Sequence, residues 1–135
     1  NKENMNKISG IGHSNRAYSE FLQRLQEHQI DTLVDIRTYP RSRFCPQYNQ
    51  KALSEELGKA NITYLFKGNN LGGKGENVEY EETVDELVEM IQQGKKICVM
   101  CSEAKHTDCH RHEMLEPSFN QRGVQMEHIE YVKKP

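Results

Sequence analysis

The chain predicts a single compact three-layer α/β domain around a mostly parallel sheet of about five strands. Three observations carry this. Short apolar or β-branched runs alternate with segments of helical period along nearly the whole chain. The 135 residues suit one domain, taken as residues 7–135 after a flexible segment 1–6. The connections also fall into two chemical sets. Those running from helix to strand are plain turns, such as Gln93-Gly94-Lys95 and Arg122-Gly123. Those running from strand to helix are long and carry the reactive side chains.

Lys7 to Ile11 is the first strand candidate, and Tyr18 to His28 a helix with Phe21, Leu22 and Leu25 on one face. Thr32 to Ile36 is a β-branched run of the buried type. Gln50 to Ala60 turns Leu53 and Leu57 inward, with Asn49 as its expected N-cap. Ile62 to Phe66 is a strand, Tyr80 to Gln93 a helix through Val84, Leu87, Val88 and Ile91, and Lys96 to Cys101 a strand. Asp108 is the expected N-cap of a helix reaching about Glu116, which Pro117 must break or kink. Gln125 to Tyr131 closes the series.

Composition narrows the classes. Lys plus Arg number 18 against 20 Asp plus Glu, a net charge of -2, which excludes a broad basic surface for duplex DNA. That near-neutrality averages two regions. Lys51 to Gly94 holds 4 basic and 9 acidic residues, the remainder 14 basic and 11 acidic. Five Arg (16, 37, 41, 43 and 111) lie in strand-to-helix segments, so a local anion pocket is expected there. No apolar run approaches a membrane span, and no secretory pattern opens the sequence. Met5 is a candidate native start, with residues 1–4 extraneous to it. Enough periodic apolar sequence is present to make an ordinary core, so reduced thiols and a cytoplasmic setting are expected rather than a disulfide scaffold.

In open parallel sheets ligands bind beyond the carboxyl ends of the strands. Four motifs fall there. Gly12-His13-Ser14-Asn15 offers a tight turn and capping side chains, or an anion contact. Asp35 and Arg37 share one face of a strand end, either as a structural ion pair or to hold or process substrate. Arg41, Ser42, Arg43, Gln47 and Asn49 lie in a long loop whose Arg suit anions and whose Tyr39, Phe44 and Tyr48 suit stacking on a ring. Gly72 and Gly73 sit in a Gly-rich stretch that allows close approach to a ligand, or simply links two elements.

The densest chemistry is Cys101-Ser102-Glu103 with Cys109-His110-Arg111. Strand alternation puts Cys98 on the face opposite Cys101, as a small buried hydrophobe. Cys109 and His110 are expected in a first helical turn, whose field favours a thiolate. Three readings stay open. Cys101 or Cys109 is a nucleophile with His110 as base and Glu103 as orienter or acid; the Cys and His residues bind zinc; or the cysteines are structural while Glu103, His110 and Arg111 bind substrate. The spacing Cys101-x7-Cys109-His110 fits no standard zinc pattern, so no metal and no cofactor is expected. The third reading is preferred by a small margin.

Taken in order, Gly12-His13-Ser14-Asn15, Val34-Asp35-Ile36-Arg37 with Pro40-x-Ser42, Pro46-Gln47-Tyr48-Asn49, Leu71-Gly72-Gly73, Cys101-x-Glu103 and Cys109-His110-Arg111 resemble the pattern of the domain-of-unknown-function family 488. The resemblance implies a compact α/β fold and a site built from these motifs, without an established reaction. The Asp-x-Arg also resembles rhodanese-like sulfurtransferases. Cys101, however, is followed by Ser102 to Thr107 with neither Gly nor Arg, so the amide loop of a rhodanese or a Cys-dependent phosphatase is missing.

The expected function is therefore an enzyme, a hydrolase or transferase, on a small anionic or nucleotide-like ligand. Asp35, Glu103, His110 and Cys101 are the catalytic candidates. His13, Ser14, Asn15, Arg37, Arg41, Ser42, Arg43, Gln47, Asn49, Gly72, Gly73, Cys109 and Arg111 are the binding candidates. The alternatives are a non-catalytic module for a small anion or modified base, and a Cys-dependent thiol or metal protein. Contact with nucleic acid fits a local pocket alone, no membrane contact is expected, and the oligomeric state is not encoded legibly.

Overall fold

A computed structural model describes residues 6–132. Most of the expected flexible segment 1–6 therefore lies outside the described residues. The strands are β1 (Lys7–Gly12), β2 (Thr32–Asp35), β3 (Thr63–Phe66), β4 (Ile97–Cys101) and β5 (Gln125–His128). They form one sheet in the order β3-β2-β4-β1-β5, with every pair parallel. The helices are α1 (Tyr18–Glu27), α2 (Gln50–Lys59), the single turn α3 (Gly68–Leu71), α4 (Tyr80–Gln92) and α5 (Glu116–Gln121).

The order explains the layering. The first two crossovers step toward β3 and the last two step back toward β5. With right-handed crossovers throughout, that reversal puts the two helix pairs on opposite faces. The core divides accordingly. Phe21 and Leu25 of α1 and Leu53 and Leu57 of α2 pack with Leu33, Cys98 and Met100. Val84, Leu87, Val88 and Ile91 of α4 and Phe119 of α5 pack with Val34, Ile97, Val99 and Cys101. The alternation along β4 thus separates Cys98 from Cys101, as strand geometry requires.

Three local expectations are corrected. Asn49 precedes α2, but its side chain makes no cap; its Oδ1 accepts the Ser42 N–H at 2.6 Å. Asp108 caps nothing either, because it ends a 3-10 turn, His106–Asp108. The chain then enters a π-helical turn, Arg111–Leu115, with His110 before it. Cys109 is extended and lies ahead of that turn rather than inside a first helical turn. Pro117 falls in the opening turn of α5, directly after the π-helical turn, so the helical geometry changes next to the proline expected to disturb it. The one-turn α3 inside the Gly-rich stretch carries too short a signal for periodicity to reveal.

The loops leaving β1 and β4 are stitched together. His13 N–H donates to the Cys101 carbonyl at 3.0 Å and Ser14 N–H to the Ser102 carbonyl at 2.8 Å. Gly12 makes this possible, because a Cβ there would stand 1.6 Å from the Glu103 carbonyl oxygen. We expect Gly12→Ala to destabilise the protein by about 3 kcal/mol or more, since backbone must move. Gly58→Ala in α2 meets nothing within 4 Å and should stabilise by roughly 0.5–1 kcal/mol. Urea unfolding of both variants measures the contrast.

Candidate functional site

The last strand residue of β2 is Asp35, fully buried, and Arg37 two residues on is 4% exposed. They form a bidentate ion pair: Arg37 Nε donates to Asp35 Oδ1 at 2.9 Å and Nη2 to Oδ2 at 2.8 Å. Tyr64 Oη on β3 donates to the same carboxylate at 2.5 Å, and burial next to that anion pushes the Tyr64 phenol up. Arg37 Nη2 also donates to the Tyr48 carbonyl at 2.7 Å.

His13 completes this group. Its Nδ1 is 2.7 Å from the Ser14 carbonyl and must be the donor; its Nε2 is then the lone pair that faces Arg37 Nη1 at 3.3 Å. The ring stacks on Tyr48 with centroids 4.4 Å apart. Burial holds its pKa down to about 4, so it is neutral near pH 7. Asp35 and His13 therefore brace the strand ends from below and do not line the open cleft.

That cleft, of about 440 Å³, lies beyond β2 and β4. These neighbouring strands send their connections to opposite faces, which makes this the topological switch point of the sheet. Of the residues singled out from sequence, Arg37, Arg41, Gly73, Cys101, Glu103, Cys109 and His110 line it. Tyr39, Thr38, Lys74, Ser102 and Asp108 join them. Of these, Thr38, Lys74, Ser102 and Asp108 carry no motif of their own, and their place in the strand-to-helix loops was the available signal.

The remaining candidates sit elsewhere. Ser42 and Asn49 are struts within their loop: Ser42 Oγ accepts the Cys45 N–H at 3.1 Å. Gln47 Nε2 reaches the Arg16 carbonyl at 3.3 Å. Ser14 Oγ and Asn15 Oδ1 lie 3.5 Å apart at the surface. Arg43 is exposed and does not line the cleft. Gly72 N–H donates to Asn77 Oδ1 at 2.9 Å, shaping the Gly-rich loop.

The floor of the cleft holds two sulfurs. Cys101 at the end of β4 and Cys109 after the 3-10 turn are joined as a disulfide, with Cα atoms 7.0 Å apart, which corrects the expectation of reduced thiols for these two; the turns after β4 bring residues eight apart in sequence back together. Cys45 and Cys98 are free and buried, and burial pushes the Cys98 thiol up. Arg111 is fully buried behind the pair. Its Nη1 donates to Cys101 Sγ at 2.9 Å and to the Glu103 carbonyl at 3.2 Å, and its Nη2 to the Ala104 carbonyl at 3.0 Å. Its backbone N–H points at Cys109 Sγ, 3.4 Å away. Among the described residues no carboxylate pairs with it, and burial lowers its pKa.

His110 flanks the other sulfur. Its Nε2 lies 2.8 Å from the Leu71 carbonyl, so that nitrogen carries the proton, and its Nδ1 lone pair stands 3.7 Å from Cys109 Sγ. Burial lowers its pKa. Gly73 is required here, because a Cβ would fall 2.7 Å from His110 Nδ1. The Gly-rich loop is fixed to the loop after β2 by Lys74 N–H donating to Thr38 Oγ1 at 3.1 Å.

Fold and site together define an open, doubly covered α/β protein with a cysteine pair and an Arg-bearing cleft at its switch point. Residues 17–81 match the model of the domain of unknown function DUF488, and the chain resembles that family. The matched span contains the Asp35–Arg37, Pro46–Asn49 and Leu71–Gly73 segments; the β1 loop and the cysteine segments lie outside it. No curated protein and no solved structure matches the chain. No helix among the described residues is long and apolar enough to cross a membrane.

The neutral His13 has a stability consequence. The unfolded chain binds a proton there near pH 6.5, whereas the folded chain resists until about 4. Its contribution is complete above pH 6.5, is lost as pH falls toward 4, and is flat below that. We expect a loss of about 3 kcal/mol across this window, read from urea midpoints, and a shallower slope in His13→Gln. An unchanged slope in that variant would remove His13 as the cause.

Proposed function

We propose that the chain is a dithiol enzyme that reduces a small anionic disulfide at this cleft, in a cytoplasmic setting that supplies a thiol reductant. The observation that carries the reading is the buried Arg111 guanidinium, whose Nη1 lies 2.9 Å from Cys101 Sγ and which makes no salt bridge to a carboxylate among the described residues. A buried cation needs an anion, and the reduced Cys101 thiolate is the group placed to be one. A thiolate is the nucleophilic form of cysteine.

The step balances as follows. Cys101 thiolate attacks one sulfur of the substrate S–S bond, and the first substrate thiolate leaves. Cys109 gives its proton to His110 Nδ1 and attacks Cys101 Sγ, releasing the second substrate thiolate. Two electrons pass to the substrate, and the Cys101–Cys109 disulfide remains. An external small thiol returns the pair to its reduced form. Arg41 and Lys74 at the rim attract the substrate's anionic groups.

A second reading keeps the cleft and changes the ligand to a nucleotide or nucleoside phosphate. It is favoured by Tyr39, 62% exposed, beside Arg41 with the Lys74 ammonium 5.9 Å from its ring centre. Glu103 and His110 would then supply acid and base groups.

Two disulfide probes separate these readings: dithiobis-nitrobenzoate, which is anionic, and dithiodipyridine, which is neutral. The reduced protein should release two product thiols at pH 7, at least tenfold faster than a free cysteine. Cys109→Ser should stop at a mixed disulfide, and Cys101→Ser should lose the fast phase. Arg41→Ala with Lys74→Ala should slow the anionic probe about tenfold and leave the neutral one unchanged. A Cys101 no faster than free cysteine would sink the thiol reading. Inhibition by nucleoside monophosphates with no fast phase would favour the second.

A further inference from the structure

Three histidines outside the cleft meet at the β5 side of the same sheet edge. His106 lies in the 3-10 turn after β4, His112 in the π-helical turn, and His128 at the end of β5. One ring nitrogen from each lies within 4.8 Å of the other two. His106 stacks on His128 with centroids 4.0 Å apart, and His112 stands edge-on to His106 at 5.1 Å. None of the three lines the cleft.

Glu116 fixes their protons. Its Oε1 accepts from His112 Nδ1 at 3.0 Å and from His128 Nε2 at 2.7 Å. A carboxylate only accepts, so the neutral rings carry hydrogen on those two nitrogens. The lone pairs then sit on His112 Nε2 and His128 Nδ1. The second of these is buried without any hydrogen-bond partner. A buried acceptor with no donor costs free energy that native structures rarely leave uncompensated. A carboxylate on the far nitrogen of an imidazole is also the arrangement that orients histidine ligands and raises their basicity.

We propose that His106, His112 and His128 bind a divalent transition-metal ion of the zinc class, with Glu116 as the carboxylate that orients two of them. Three imidazoles suit zinc and its neighbours far better than magnesium or calcium, which take oxygen ligands. The three ligands come from three separate elements. The ion therefore ties the segment between Cys101 and Cys109, through His106, to the end of β5. A fourth position is left for water, since Glu116 is engaged on the far nitrogens of two of the rings.

The test is metal uptake by the full chain, freed of metal with chelator and kept reduced. Zinc should bind at one equivalent and raise Tm by about 8–10 °C at a hundredfold excess over Kd; magnesium should do neither. Binding should survive in the Cys101→Ser, Cys109→Ser double variant and be lost in His106→Ala and in His112→Ala. No uptake, uptake unchanged in the two His variants, or uptake lost with the cysteines would each overturn the site. If a His variant fails to fold, the cobalt(II) spectrum of the intact chain decides. Ligand-field bands free of thiolate-to-metal charge transfer support the His site, and a thiolate band overturns it.

Discussion

The buried Asp35–Arg37 pair is the constraint on which the edge of the sheet depends. Two charges this deep are tolerable only when every polar atom is answered. Here the answer comes from four parts of the chain: Tyr64 on β3, the Tyr48 carbonyl after the 46–48 turn, His13 after β1, and the Arg37 backbone itself. The need to satisfy the pair thus sets where three loops begin. His13 must be neutral to accept from Arg37, and burial, aided by the Arg37 charge beside it, keeps it so. What looks like a set of catalytic side chains is, in its deepest layer, a frame that fixes the strand ends.

Arg37 and Arg111 show how one residue type serves two ends. Both are buried near the carboxyl ends of adjacent strands. Arg37 meets a carboxylate, so its charge is spent inside the frame. Arg111 meets carbonyls and sulfur. Carbonyl dipoles solvate a guanidinium but do not neutralise it. Unit charges about 3 Å apart interact by about 5–6 kcal/mol at an effective dielectric of about 20, and one pKa unit corresponds to about 1.4 kcal/mol. In the reduced form that the proposed function requires, that attraction would oppose the penalty of burying a thiolate at Cys101. Cys98, three residues earlier on the opposite face, accepts no hydrogen bond from Arg111, and burial raises its pKa against the weaker pull of that charge. Neighbouring cysteines of one strand are therefore set apart chemically by the strand's own alternation.

Much of the architecture was legible because it rests on local signals. The period-two runs of β2 and β4 and the helical stripes of α1, α2 and α4 give the element order and faces with boundary shifts of about one residue. The region after Cys101 was not legible. A helix from Asp108 assumed that a capping residue type caps, whereas the chain needs a 3-10 turn and a π-helical turn to bury Arg111 and bring Cys109 back to Cys101. Long-range geometry decides that, and no short window contains it. The site was legible as an edge, since the strand-to-helix loops gathered its chemistry. Division into frame and cleft was not legible, because Asp35 and Glu103, or Arg41 and Arg111, differ in burial and not in type. The meeting of His106, His112 and His128 depends on the pairing of β5 with β1, which sequence spacing does not encode.

The charge balance of the cleft follows from where the acids are used. Much of the acidic excess lies on α4, where Glu81 and Asp85 are held by Arg122 and Glu86 by Lys67. Arg41 and Lys74 have no carboxylate partner among the described residues, so two cations face the cleft unpaired. Their wall comes from the loop after β2 and the Gly-rich loop. The opposite wall, from the loop after β4, brings Glu103 and Asp108. An anionic group gains at the first wall and is disfavoured at the second. Under the proposed reading the small anionic disulfide lies with its anionic group toward Arg41 and Lys74, its hydrogen-bond donors toward Glu103 and Asp108, and the reacting bond over the sulfurs between them.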